Sequence, residues 1–376
     1  MSRLTELIDY GQSYWLDNLT RGKIKSGELK KRIEEQGMRG ITSNPSIFQK
    51  AIMQSDDYEE QIGALAEAGK STDEIYEAVV VEDVQDACDE LRPLYDETNG
   101  EDGFVSLEVS PYLAHDAEGT AHEARRLFKK VDRPNCFIKI PGTPAGNIAI
   151  EEMLYEGINI NITLLFSIQS YEEVAFAYIN ALERRAAEGL PVDNVASVAS
   201  FFLSRIDVLV DQLLDHRAKK SADKEMIALA NELRGEVAIA SAKLAYQSFK
   251  GIFGTARWKL LKEKGARVQR PLWASTSTKN PDYSDTRYVD SLIGENTVNT
   301  LPDETIDAFA DHGTLQADAV EENIEGAEET LWNLYDIGID LDYVTQRLTD
   351  EGIQKFIDPF DKLMETIEEK RKEMLG

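Results

Sequence analysis

Cysteine, long apolar runs and positive charge are all scarce in this chain of 376 residues. The two cysteines, Cys88 and Cys136, have no ligand-like spacing to another cysteine or to histidine. Neither a disulfide framework nor a sulfur metal site is therefore indicated. No stretch of about 18 apolar residues is present to cross a bilayer. The residues after Met1 (Ser, Arg, Leu, Thr, Glu) lack the apolar core of a secretory signal. Only 41 basic residues stand against 69 acidic ones, a formal net charge of -28. Nucleic acid or an anionic membrane would find no basic stripe to dock on. A small phosphate-bearing molecule needs only a few local cations or N–H groups and stays possible. No Gly-, Pro- or Ser-rich linker divides the chain, and no obvious repeat runs through it. A soluble cytoplasmic protein is expected.

With 42% apolar residues the chain can build a substantial core. Its length suits two domains or one α/β barrel with insertions. The segment Asn135 to Gly146 reads as a short buried strand running into a Pro/Gly turn, with Lys139 among apolar neighbours. Strands alternate their faces, so Lys139 points away from Ile138 and Ile140. If both faces are covered, its amine has no easy route to water. An unpartnered buried ammonium costs several kcal/mol, and the usual escape is a depressed pKa. A partly neutral lysine is the nucleophile that condenses with a carbonyl. The plain alternative is a lysine at a strand end that snorkels to solvent.

In chain order, Tyr14–Asn18 is the first short strand and Gly40–Phe48 a second that breaks into a turn, with a charged helical piece at Lys30–Gln36 between them. Asp56–Ala68 and Thr72–Tyr95 read as amphipathic helices. Gly103–Val109 is the third strand, and Thr120 with Glu123 matches a capping box for the next helix. The Lys139 strand is fourth. In the fifth, Ile158–Leu165, alternation sets Asn159, Asn161 and Thr163 on one face and the isoleucines on the other. Ser170 with Glu173 caps the following helix, and Asn194–Ser200 is the sixth strand. Asp223–Lys264 is mainly helical, with breaks at Gly235, Gly251 and Gly254. Arg267–Ala274 is the seventh strand despite Pro271. Tyr288–Ile293 and Thr297–Asn299 are candidates for the eighth. Helices follow at Pro302–Phe309, Ala317–Leu334 and Asp342–Leu375. Leu348, Ile353, Phe356, Ile357, Phe360, Leu363 and Met364 recur at helical spacing in the last one and would pack on the body.

Seven or eight strands alternating with helices define an α/β class. Asp17, Thr42, Asn44, Glu108, Lys139, Asn161, Thr163, Ser200 and Ser275 all fall at strand ends or in the turns just after them. In a (β/α)8 barrel those positions ring one mouth. A doubly wound sheet collects function at the same ends, although no G-x-G-x-x-G follows the first strand.

The segments GITSNPSIF (Gly40–Phe48) and FIKIPGTPAG (Phe137–Gly146) resemble the first signature and the Schiff-base lysine block of the transaldolase family. SLEVSP (Ser106–Pro111), INITLLFS (Ile160–Ser167) and ASFFLSRID (Ala199–Asp207) are similar to further family segments in the same order. The resemblance implies a single (β/α)8 TIM-barrel domain over 1–376. A helical insertion at about 56–98 and C-terminal helices at about 317–375 would complete it. It also implies a metal-free, cofactor-free aldolase chemistry of the pentose phosphate pathway. In that chemistry a dihydroxyacetone unit moves from sedoheptulose 7-phosphate to glyceraldehyde 3-phosphate, giving erythrose 4-phosphate and fructose 6-phosphate.

By the same resemblance Lys139 is the Schiff-base nucleophile and Asp17 the general acid/base. Glu108 and Thr163 handle the water of carbinolamine formation and dehydration. Asn44, Asn161 and Ser200 hold the three-carbon unit, Thr42 supports Asp17 or the water, and Phe202 walls the sugar site. Arg205 grips the phosphate with Ser275 adding a hydroxyl. Ser277 stands where a second arginine is often found, and Lys279 is the candidate replacement. Read as structure only, Asp17 is a helix N-cap and Glu108 an ion-pair partner. On the same reading Asn44 is a turn residue, Phe202 a core aromatic, and Arg205 makes a surface ion pair with Asp207 or a neighbour. The rival activity is fructose 6-phosphate cleavage without an obligatory acceptor, as in shorter related aldolases. Monomer and homodimer stay equally open.

Overall fold

The computed structural model describes residues 2–375. Eight strands carry the architecture: β1 (Gln12–Leu16), β2 (Gly40–Ile41), β3 (Phe104–Glu108), β4 (Cys136–Pro141), β5 (Ile160–Leu165), β6 (Ser197–Phe202), β7 (Arg270–Ala274) and β8 (Thr297–Leu301). They pair in chain order, all parallel, and β8 closes on β1. Parallel neighbours need a crossover, and helices supply it on the outside. The fold is the expected (β/α)8 barrel with additional helices. Among the described residues no helix is long and apolar enough to cross a membrane.

Period-2 alternation combined with the register assigns the barrel interior. Glu108 is opposite Lys139, and Lys139 is opposite Asn161, so three polar residues share one level on β3, β4 and β5. From that level Asn161 donates to Ser106 Oγ at 3.0 Å and accepts from Ser200 Oγ at 2.7 Å, which crosslinks β3, β5 and β6. Deeper still, Trp15, Phe104 and Phe137 plug the barrel. The two phenyl rings stack at 4.2 Å, and the indole lies 6.1 Å from Phe137. Asp102 closes the bottom by accepting from Ser13, Trp15, Arg39 and Arg270.

Several boundaries differ from those the sequence suggests, each for a local reason. β1 ends at Leu16, which leaves Asp17 just beyond the strand. Arg287–Asp290 is a single helical turn, so the apolar run after Tyr288 is not strand and β8 is Thr297–Leu301 alone. Asp116, not Thr120, caps its helix; the Thr120 hydroxyl donates to the Leu113 carbonyl at 2.8 Å. Ser167, with Ser170 in return, caps the helix after β5. Gly251 lies inside the helix Val237–Phe253, while breaks fall at Gly235 and Gly254. Pro271 is tolerated because pairing of β7 with β8 begins only at Leu272. In β5 the register to β6 shifts between Ile162 and Leu165, and Leu164 adopts φ 59°, the mark of a bulge.

The last helix, Leu341–Leu375, lies across the outer helices Pro45–Gln54, Glu59–Glu67 and Thr72–Glu97 and buries Val344, Leu348, Ile353, Phe356, Leu363 and Ile367. Its N-terminal half reaches the barrel mouth.

Gly40 makes the aromatic plug possible, because a Cβ there would sit 2.6 Å from the Trp15 ring. Gly40→Ala is expected to lower unfolding stability by about 1–3 kcal/mol through overpacking. An unchanged denaturant midpoint, with the Trp15 fluorescence environment also unaltered, would contradict overpacking at this contact.

Candidate active site

A cavity of about 230 Å³ opens at the carboxyl ends of the strands. Asp17, Thr42, Asn44, Lys139, Ser200, Phe202, Arg205, Ser275 and Lys279 line it, which brings together nine of the twelve residues singled out from the sequence. Glu108 and Asn161 sit directly beside these through Lys139 and Ser200. Thr163 is buried on β5, and its hydroxyl has no hydrogen-bond partner among the described residues.

Lys139 does not snorkel. It is 5% exposed, its Nζ donates to the Ser43 carbonyl at 3.3 Å, and it faces Glu108 Oε2 at 3.6 Å. The amine is therefore partnered, where the sequence alone suggested a buried ammonium without a partner. Neither Glu108 oxygen receives a hydrogen bond from the described residues. Burial pushes the Glu108 carboxyl up to about 7, against the pull of Lys139 and Arg205. Glu108 is thus the ion-pair partner that the structural reading expected, and burial also holds its carboxyl near neutral pH.

Asp17 does not cap a helix; Thr20 caps the one that follows. Its Oδ1 accepts from Thr42 Oγ1 at 2.7 Å, and that hydroxyl lies 2.6 Å from Thr300 Oγ1. Burial raises the Asp17 carboxyl above the ordinary aspartate range, with Lys139, Thr42 and Arg205 opposing. Asn44 does serve the turn, since its Oδ1 accepts from Ile47 N at 3.2 Å, and it also lines the cavity.

Arg205 is the second residue of the helix Ser204–Lys220, which follows β6 after Leu203. It makes no ion pair with Asp207, whose carboxylate instead accepts from Ala238 N and from the Tyr288 hydroxyl. The guanidinium stands over the Phe202 ring at 5.2 Å, and its buried Nη1 has no hydrogen-bond partner among the described residues. Phe202 packs on Phe166 at 5.4 Å, so it is wall and core together. Ser275, with φ 54°, faces the Ser204 hydroxyl at 2.9 Å. Lys279 reaches the cavity and bonds the Ser277 hydroxyl.

Sequence reasoning missed four contributors. Phe356 comes from the last helix and places its ring 5.6 Å from Lys139 Nζ. Thr300 sits near the end of β8, and Glu304 lies in the first turn of the next helix. Ser43 contributes only a backbone carbonyl. The apolar stripe of the last helix was visible, but nothing in its spacing separates a cavity wall from core.

An amine, two carboxyls with raised pKa and a guanidinium whose Nη1 has no partner among the described residues share this part of the barrel. Such a set can condense with a carbonyl, shuttle protons and hold an anion. The family model described as transaldolase/fructose-6-phosphate aldolase matches residues 14–367. The chain is 53% identical to a transaldolase of Trichodesmium erythraeum over 99% of its own length and 98% of the relative's. It is 50% identical to transaldolase 2 of a Nostoc species and 45% identical to transaldolase 2 of Streptomyces coelicolor, each with the same coverage. A match of this extent, over a closed barrel with these residues at its mouth, makes the chain a member of the transaldolase/fructose-6-phosphate aldolase family.

Proposed function

We propose that this transaldolase moves a dihydroxyacetone unit from sedoheptulose 7-phosphate to glyceraldehyde 3-phosphate through an imine on Lys139, as a cytoplasmic step of the pentose phosphate pathway. The observation that carries the reading is the Lys139 amine, buried within the barrel, 3.6 Å from Glu108 and sharing one cavity with Asp17. In this mechanism the amine adds to the ketose carbonyl. Glu108, with Thr163, returns a proton so that the carbinolamine hydroxyl leaves as water. Asp17 accepts the C4 hydroxyl proton as the C3–C4 bond breaks. The bonding pair flows into the iminium, an enamine forms, and the aldose departs. The acceptor aldehyde then meets the enamine carbon, Asp17 returns its proton to the new hydroxyl, and water releases the product ketose.

The Glu108 carboxyl, pushed up to about 7, suits its proton duty, because an acid near working pH can give and take with little penalty, and burial raises Asp17 in the same direction. Asn44, Asn161 and Ser200 offer amide and hydroxyl groups to the three-carbon unit without competing as acids. The Arg205 guanidinium, with an unbonded Nη1, suits a phosphate. Ser275 and Lys279 complete that end.

Three outcomes are expected. Fructose 6-phosphate with borohydride leaves a reduced adduct that peptide mapping finds on Lys139, and Lys139→Met removes both adduct and transfer; an adduct elsewhere defeats the assignment. Asp17→Asn lowers transfer roughly 10²- to 10⁴-fold while the Lys139 adduct still forms; loss of the adduct as well would place Asp17 in imine formation instead. The third concerns stability. A carboxyl whose pKa rises from 4.5 to about 7 on folding binds more protons folded than unfolded, so its contribution falls as pH climbs through that window. Glu108→Gln should therefore gain stability relative to the parent as pH is raised from about 5 to about 8, on the order of 1–3 kcal/mol. Urea unfolding at both pH values reads this directly, and a relative loss in the variant would contradict the expected sign.

A further inference from the structure

Between departure of one aldose and arrival of the next, the enamine on Lys139 has two fates. If its carbon is protonated, the resulting iminium can take water at C2 and expel the amine. That route gives free dihydroxyacetone and restores Lys139. If instead the carbon attacks an aldehyde, a C–C bond forms and the aldehyde oxygen takes the proton from Asp17. A transferase must suppress the first route while its mouth stays open to the exchange of sugars. The polar groups around Lys139 cannot do this, since each of them can bind water.

We infer that Phe356 is the specificity-determining residue that keeps water from protonating the enamine carbon between the two aldoses, leaving C2 to the water handled by Glu108 and Thr163, and so commits the chain to transfer rather than cleavage. This inference rests on the imine reading of Lys139. Phe356 is 4% exposed, and its ring stands 5.6 Å from Lys139 Nζ and 5.9 Å from the Arg205 guanidinium carbon. It is therefore the apolar surface shared by the reacting nitrogen and the proposed phosphate grip. An aromatic face also favours a cation beside it, which describes the protonated imine.

The ring is held in place from both sides along its helix. One turn earlier, Gly352 lets the helix press on the barrel, because a Cβ there would meet Leu164 Cδ2 at 3.0 Å and Arg205 Nη1 at 3.6 Å. Leu164 is the bulged residue of β5, with a left-handed backbone. One turn later, Phe360 packs edge-on against Tyr76 at 5.4 Å and Tyr112 at 6.1 Å, and the Tyr112 hydroxyl donates to Asp361 at 2.6 Å. The bulge, the glycine and the aromatic clamp together fix how closely Phe356 approaches the amine.

The test compares the full chain with Phe356→Ala, Phe356→Leu and Phe356→Met, using fructose 6-phosphate as donor and erythrose 4-phosphate as acceptor. The quantity read is free dihydroxyacetone formed per transfer product. Phe356→Ala should raise this ratio at least about tenfold. Phe356→Leu should raise it roughly threefold, and Phe356→Met, which keeps apolar bulk, should stay within roughly threefold of the parent. A role in stability alone would slow both products and leave the ratio unmoved. Should the alanine variant lose its cooperative melt, the leucine variant decides on the same ratio. A ratio unchanged by alanine or leucine, or a methionine variant as leaky as alanine, overturns the inference. Borohydride trapping runs in parallel. No Lys139 adduct in the parent chain would defeat the imine mechanism itself, whereas an intact adduct with an unmoved ratio would defeat only the role of Phe356.

Discussion

The contact on which the molecule turns is the ammonium of Lys139 facing the carboxyl of Glu108 at 3.6 Å, with 5% and 8% of the two residues exposed. Dehydrating two such groups costs several kcal/mol each, and their attraction offsets this only when geometry and additional hydrogen bonds are good. Here the separation is longer than a hydrogen bond, and neither Glu108 oxygen is bonded among the described residues. The pair is a poor stabiliser, so the rest of the barrel must carry it. Trp15, Phe104 and Phe137 fill the layers beneath, and Asp102 with Arg39 and Arg270 closes the bottom in a better-bonded network. A chain that keeps a weakly satisfied pair at one mouth and a well-satisfied one at the other has its stability at the bottom, and the top is where its chemistry is proposed.

Much of this was legible because a strand has a period of two. Once Lys139 is on the inner face, Asn161 and Thr163 follow by alternation, and Glu108 by its place at a strand end. What stayed hidden was of three kinds. The run after Tyr288 is apolar but short, and so few residues fit a strand or a helical turn equally well; the structure makes Arg287–Asp290 helical. Backbone contributions carry no side-chain signature, so the Ser43 carbonyl beside Lys139 could not be named. Phe356 belonged to an amphipathic stripe whose other members are ordinary core, and only the crossing of the last helix over the mouth distinguishes it. The capping residues show a milder version of the problem. Thr120 and Ser170 sat in acceptable patterns, but Asp116 and Ser167 lie one turn earlier and satisfy the first free N–H groups.

Two residues flanking the site take left-handed backbone without being glycine: Leu164 at φ 59° and Ser275 at φ 54°. Such conformations cost of order 1–3 kcal/mol each and persist where the surroundings over-determine them. Each sits against an element that brings a side chain to the cavity. Leu164 meets the last helix at Gly352, one turn from Phe356. Ser275 meets Ser204, which precedes Arg205 on its helix. The strain is thus spent on the relative placement of a ring and a guanidinium, the two groups that flank the proposed reacting amine.

A formal net charge of -28 over the whole chain opposes the approach of a phosphorylated sugar. At physiological ionic strength, however, exposed charges are screened beyond about 8 Å, so a phosphate at the mouth is governed by the groups around the cavity. Lys139, Arg205 and Lys279 stand there with Asp17, Glu108 and Glu304. Burial raises the pKa of both Asp17 and Glu108. Burial thus disfavours the charged form of both carboxyls beside Arg205, in the same groups proposed to carry protons. Desolvation by the barrel therefore bears twice on the proposed site, once on the proposed acid–base chemistry and once on the local potential that a phosphorylated sugar would meet there.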